Sequence, residues 1–350
     1  MSSAELAYIT PELVAWAIGR SGLSYAKISQ SLDVSQDQVK AWGQGNTYPP
    51  FGKAIHLAKL LHVPFGYFFL DSPPAVEVPL PDFRTRLSPE SREPSVDFLE
   101  LLYSVLSKQE WYREYAEENG TEKLPFVARF TIRDNPNRVA SNIREILGIN
   151  DKLRKEVNSL SDYLSLLSDC AESAGIIVMR SGIVGNDPTR PLSVNEFQGF
   201  TITDDIAPLI FINSHDFKAA QIFTLAHELA HVWIGRSGIS KPDETDVAEK
   251  ASKVDESKVE LFCNAVAAEV LVPKSEFLSA WQGQALKSLA TRFRVSTIVI
   301  LRRAYEFDLE LVAKLTFQKA MRDDGTSQQH ESFVRGATDL LAHPQLPELM

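Results

Sequence analysis

The chain has 350 residues, is 44% hydrophobic and 23% charged, and carries a formal net charge of -10. This is a globular composition, long enough for two or more packed cores. No uninterrupted apolar run approaches bilayer length, so no membrane-spanning helix is expected. Met1-Ser2-Ser3-Ala4-Glu5 lacks the basic-then-apolar order of a signal peptide. Cys170 and Cys263, the two cysteines, fall in apolar helical surroundings and read as small buried residues, not as a disulfide or a zinc pair. A cytoplasmic location is expected, with no membrane partner.

Within the first 74 residues, apolar positions cluster at helical spacing: Leu13, Trp16 and Ala17, then Leu23 to Trp42, then Ile55 to Leu61. Ser24 can cap one short helix, Asp33-Val34 makes a tight turn, and Ser35 can cap the next. Two short helices joined so closely form a helix-turn-helix arrangement. The stretch, with Trp42-Gly43-Gln44-Gly45 and Pro64 to Leu70, resembles the lambda-repressor (Xre) type of DNA-binding domain. That resemblance implies DNA contact through residues 24–45, with the helix from Ser35 to Trp42 in the major groove and Gln36, Gln38 and Lys40 as its polar contacts. Trp42 and the Phe68-Phe69 pair read as core. Charge argues for caution: residues 1–74 hold five Lys or Arg against five Asp or Glu, and phosphate neutralisation supplies most non-specific affinity. A helical module for protein recognition or dimerisation is the alternative, and a homodimer would double any DNA contacts.

Residues 75–95 are proline-rich and read as an extended linker containing Asp82-Phe83-Arg84. Periodic apolar residues predict helices over Val96 to Tyr115, Ala140 to Leu147 and Leu160 to Ala174. Strands are predicted at Ile176 to Met179, Phe197 to Thr203 and Leu209 to Asn213, the last two joined around Asp204-Asp205. A small sheet there could hold an extended peptide on an exposed edge strand, or only support the following helix. His215, in a turn, reads as solvated.

The chemistry concentrates in His227-Glu228-Leu229-Ala230-His231. Positions i and i+4 of a helix lie one above the other, so both imidazoles can reach one metal ion. Glu228 is rotated by about 100° from His227, near enough to act on a metal-bound water without being a ligand. The lead-in from Gln221 has no Gly or Pro, Gly235 with Gly238 closes the run, and the apolar surroundings predict a buried helix. A chance pentapeptide with core-satisfied histidines is the plain alternative. A hydrolytic zinc site needs a third protein ligand. Glu260 is the candidate, on a second Ala-rich helix that Pro273 stops, with Asn264 on the same face. Spacing alone leaves Glu260 equally readable as a solvated first-turn residue. Glu269 reads as structural.

Residues 241–258 are charged and poorly periodic, which predicts a mobile loop between the two helices. Residues 276–322 carry eight basic side chains against four acidic ones. They read as a second helix-turn-helix-like pair with Ser296 as an N-cap, packed on the body in preference to binding nucleic acid. A weakly ordered tail is expected over 323–350.

Phe223 to His231, preceded by Gly199-Phe200 and Pro208 to Asn213 and followed by Glu260 to Pro273, resembles the ImmA/IrrE-type metallopeptidases over about residues 160 to 315. The resemblance implies a Zn²⁺ cofactor held by His227, His231 and Glu260, with Glu228 catalytic. Cys263 stands where that family usually has Ala, which keeps the position small. The expected architecture is α+β and predominantly helical: an all-α unit at 1–74, a zincin-like domain with a small sheet within 96–275, and a C-terminal helical module at 276–322. The implied activity is a zinc endopeptidase that cleaves an intracellular repressor or antitoxin. The other reading is a transcriptional regulator whose zinc domain senses a ligand or partner without turnover.

Overall fold

The structure, a computed structural model, describes residues 5–74, 94–240, 251–281 and 285–306, with only the backbone described at 239–240 and 251–256. The proline-rich stretch 75–93 with Asp82-Phe83-Arg84, residues 241–250 of the charged insert and the tail at 323–350 lie outside the described residues. The described residues form two compact units, 5–74 with 94–103, and 104 onward.

In the first unit, α1 (Pro11–Ser21) opens on a proline and closes on Gly22, whose φ of 66° suits a residue without Cβ. Next come α2 (Tyr25–Leu32), α3 (Gln36–Gly43), α4 (Phe51–Leu60) and a 3₁₀ turn at Phe65–Phe69. Ser24 accepts from the Lys27 N–H, and Ser35 and Gln38 form a reciprocal capping box. Asp33, at φ 50°, makes the turn between α2 and α3. Leu13, Val14, Ile28, Leu32, Val39, Trp42, Leu57 and Phe68 share one apolar core. Phe69 departs from the expectation: it is 47% exposed and meets Phe65 edge to face, since a single 3₁₀ turn cannot bury both neighbours of a Phe-Phe pair.

α5 (Val96–Glu118) follows, and within the second unit Gln109 donates to the Ala207 carbonyl and Arg113 pairs with Asp204. Then come α6 (Pro136–Ile146), α7 (Asp151–Glu156) and α8 (Leu160–Ser173), capped by Asn135, Asn150 and Ser159. After β1 (Ile177–Ser181), a hairpin of β2 (Ile183–Val184) and β3 (Asp187–Pro191) turns at Gly185-Asn186, both at positive φ. Strands β4 (Gly199–Ile202) and β5 (Leu209–Asn213) lead into α9 (Lys218–Ile234), and β6 (Gly238–Ser240) follows it. The four-stranded sheet runs β1-β5-β4-β6, with β1 parallel to β5 and the other pairs antiparallel. Its outer strands are therefore β1 and β6, and β4 is paired on both sides.

Every residue of α9 from Thr224 to Ile234 is buried, the pattern of a helix enclosed all round. Gly235 ends it in the left-handed region, at φ 68°. Gly238 does not close the helix. It opens β6, pairing with Thr201.

α10 (Ala251–Leu271) is longer than expected. Residues 251–258, read above as part of a loop, are its first two turns: Ala, Lys and Glu without Gly or Pro favour helix even where apolar periodicity is poor. α11 (Lys274–Ala280), α12 (Leu286–Phe293) and α13 (Thr297–Glu306) complete the unit, and the Val299 N–H reaches the Ser296 hydroxyl. Phe277, Leu289, Phe293 and Ile300 join the same apolar core as Leu225, Trp233 and Val266.

Charges tie these last helices down. Arg154 on α7, its side chain 3% exposed, pairs with Asp151 and Glu276, and Arg144 on α6 pairs with Glu276 at 2.8 Å. Arg303 on α13 pairs with Glu269, which also accepts from the Lys274 N–H. Removing one partner of a buried pair strands the other charge. Glu276→Ala should therefore destabilise the unit by about 3 kcal/mol, read as a lower midpoint in urea denaturation followed by circular dichroism.

Candidate metal centre

α9 and α10 pack in one core and bring three donor side chains together. His227 and His231 stand one turn apart on α9, and Glu260 meets them from α10. His227 Nε2 is 3.2 Å from Glu260 Oε2, His231 Nε2 is 3.4 Å from Glu260 Oε1, and the two Nε2 atoms are 3.0 Å apart. Ligands on a tetrahedron of radius about 2.1 Å stand about 3.4 Å from one another, so these three donors fit a divalent ion with one corner left for water. Among the described residues, they are the group of His, Cys, Asp and Glu side chains that could hold a metal ion.

Asn264, one turn after Glu260, lies 3.0 Å from His227 Nδ1 through its side-chain oxygen. An imidazole that donates from Nδ1 keeps its Nε2 lone pair for a metal. The face shared by Glu260 and Asn264 was legible from their spacing, but this orienting role was not.

Glu228 is fully buried. Its Oε2 accepts from the Thr201 hydroxyl on β4 at 2.6 Å. Its Oε1, also buried, has no hydrogen-bond partner among the described residues. A buried carboxylate oxygen without a donor is costly, so it is available to a proton donor that comes within reach. Thr201 carries no signal of its own in the sequence, whereas Gly199 belongs to the Gly199-Phe200 pair quoted for the resemblance. A Cβ on Gly199 would stand 2.6 Å from Thr224 Cγ2, 2.9 Å from the Phe211 carbonyl and 3.1 Å from Glu228 Oε1. Gly199 inside the strand expected over Phe197 to Thr203 was the available signal, since glycine inside a strand marks close approach.

Burial opposes charge on His227, but Glu260 beside it, helped by Glu228 and Asn264, outweighs that and raises its pKa to about 9. Burial likewise opposes the Glu260 carboxylate, yet the two imidazoles hold it well below the usual carboxylate range. Cys263 is pushed well above the usual thiol range by burial and by Glu260 and Glu228. It is a buried, unreactive filler, as expected for that position. Cys170 is partly buried and free. His215 is exposed, its Nδ1 3.2 Å from the Leu192 carbonyl, in keeping with a solvated turn residue.

Residues 180–305 match the peptidase family M78, described as an IrrE N-terminal-like domain. This segment is similar to ImmA/IrrE-type peptidase domains. The match runs from within β1 into α13 and takes in all four of His227, Glu228, His231 and Glu260, which supports a metallopeptidase domain. It is somewhat shorter than the span of the resemblance read in the sequence, and it does not include the first unit. No curated protein matches the chain. Among the described residues, no helix is long and apolar enough to cross a membrane.

In the metal-free protein, His227 should remain an imidazolium at pH 7 and lose its proton near pH 9, followed by long-range ¹⁵N–¹H correlation of the ring. Glu260→Gln removes the charge that raises this value and leaves burial dominant, so the midpoint should fall below that of an ordinary histidine.

Proposed function

We propose that the chain is a zinc-dependent endopeptidase with His227, His231 and Glu260 as metal ligands and Glu228 as general base. The observation that carries this reading is the meeting of two buried imidazoles and a mostly buried carboxylate at tetrahedral spacing, near a Glu228 carboxylate oxygen with no partner among the described residues. Zinc bound there would lower the pKa of a water and polarise the peptide carbonyl. Glu228 Oε1 would serve as the base that takes a proton from the attacking water and returns it to the leaving amine. Asn264 holds the His227 ring. Burial of α9 keeps bulk water away, which strengthens each of these charges.

The substrate class belongs to the same proposal: an intracellular regulator, a repressor or antitoxin, presented as an extended segment. The first unit supports a regulatory connection as an Xre-type DNA-binding domain. Gln36, Gln38 and Lys40 are all exposed on α3. Their capacity for contact is uneven, because Gln38 Oε1 already accepts the Ser35 N–H and Lys40 lies 3.8 Å from Asp37. Lys53 donates to the Leu32 carbonyl at the end of α2, which leaves one charge fewer for phosphate. DNA binding by this unit would therefore be weak, and a homodimer would double its contacts.

A second reading, a regulator that senses a ligand or partner through the zinc domain without turnover, is favoured by burial of the site. His227 is 5% exposed and His231 1%. The two readings part on one variant. Purified protein should contain about one equivalent of zinc. Glu228→Gln should keep that metal and lose cleavage, so proteins that accumulate in cells carrying the variant are the substrate candidates. Native cleavage by Glu228→Gln would remove the peptidase mechanism. Promoter-DNA binding unchanged by it, in a protein that cleaves nothing, would favour the sensor.

A further inference from the structure

We infer that β4 is the fixture that aims the Glu228 carboxylate, with Thr201 as a positioning residue and Gly199 as the space it is aimed through. The inference rests on the peptidase reading above and specifies how its base is held.

Residues two apart on a strand share a face, so Gly199 and Thr201 both lie on the side of β4 that meets α9. Thr201 is fully buried. Its Oγ1 lies 2.6 Å from Glu228 Oε2 and 3.2 Å from the Glu228 backbone carbonyl. A hydroxyl has one proton to give, and the shorter contact to the carboxylate takes it. The carboxylate's remaining freedom is rotation about its last torsion, which is soft. One oxygen tied to a buried hydroxyl removes that freedom and leaves Oε1 as the oxygen able to act. Gly199 supplies the complement, because any Cβ there would stand 3.1 Å from Oε1. The strand cannot swing away from α9, since β4 pairs with β5 on one side and with β6 on the other. The fixture is therefore part of the sheet and is not a loop contact that thermal motion would open.

The geometry also separates this role from simple core filling. Valine has nearly the shape of threonine without the hydroxyl, and serine has the hydroxyl without the methyl. If Thr201 only packs, valine is the harmless change and serine the damaging one. If it positions Glu228, the order reverses.

The test uses the zinc-loaded full chain and acetohydroxamic acid as probe, titrated calorimetrically. On binding, the N–OH proton of the probe passes to Glu228 and the hydroxamate oxygen becomes the anionic donor, so its affinity reports where the carboxylate points. Thr201→Val should keep one equivalent of zinc and weaken the probe about 10- to 100-fold. Thr201→Ser should stay within about twofold of the unsubstituted chain. Equal affinity in Thr201→Val and the unsubstituted protein, or a Thr201→Ser variant as weak as Thr201→Val, would overturn the inference while leaving the zinc site standing. An unsubstituted chain that takes up no zinc, or binds the probe no better than its Glu228→Gln variant, would overturn the peptidase reading and this inference with it.

Discussion

The meeting of one carboxylate with two imidazoles across α9 and α10 governs the rest of the second unit. Glu260 reaches His227 and His231 only if two helices run close together in a dry core. Small side chains at Ala226, Ala230, Cys263 and Ala267, all buried in that core, let the backbones approach. Cys263 fits this constraint as well as alanine would, since it too is small and fully buried. Three ionisable groups packed together away from water also need mutual compensation. Without metal, the proton held by His227 against the Glu260 charge supplies it.

Elsewhere in the same unit, buried charges are resolved differently. Arg154 with Asp151 and Glu276, and Arg303 with Glu269, find their opposite charges within the protein itself. They join α7, α11 and α13 to the body. At Glu228 Thr201 satisfies one oxygen, and among the described residues nothing satisfies the other. That difference distinguishes a charge that holds the fold from one available for chemistry, and it is visible only once side chains are placed.

Much of this was legible in the residues. Spacing put His227 and His231 on one face, Ser24, Ser35 and Ser296 announced their caps, and Glu269 was recognisable as structural because it lies off the Glu260 face. The failures have physical causes. Residues 251–258 lack apolar periodicity, yet their helix propensity is enough to start α10. Gly238 looked like a helix stop, whereas Gly235 had already ended α9 and the next residues were free to pair with β4. The β2–β3 hairpin went unread although Gly185-Asn186 carries its turn signal. Thr201 could not have been found, since a threonine in a strand is ordinary and its partner lies 27 residues away. The first unit showed its caps and its core clearly in sequence, but the neutral charge that limits its reading as a DNA binder is equally a property of the sequence.

The enclosure of α9 has a consequence for how such a centre is held. Amides in an element buried on every side exchange with solvent only when the whole domain opens, because no local fluctuation exposes them. From Thr224 to Ile234 the helix has no free flank to loosen. Glu260, by contrast, keeps 12% of its side chain at the surface. Of the three donors, the one on α10 is therefore the most open to solvent, and the two on α9 are held by a helix that cannot loosen locally.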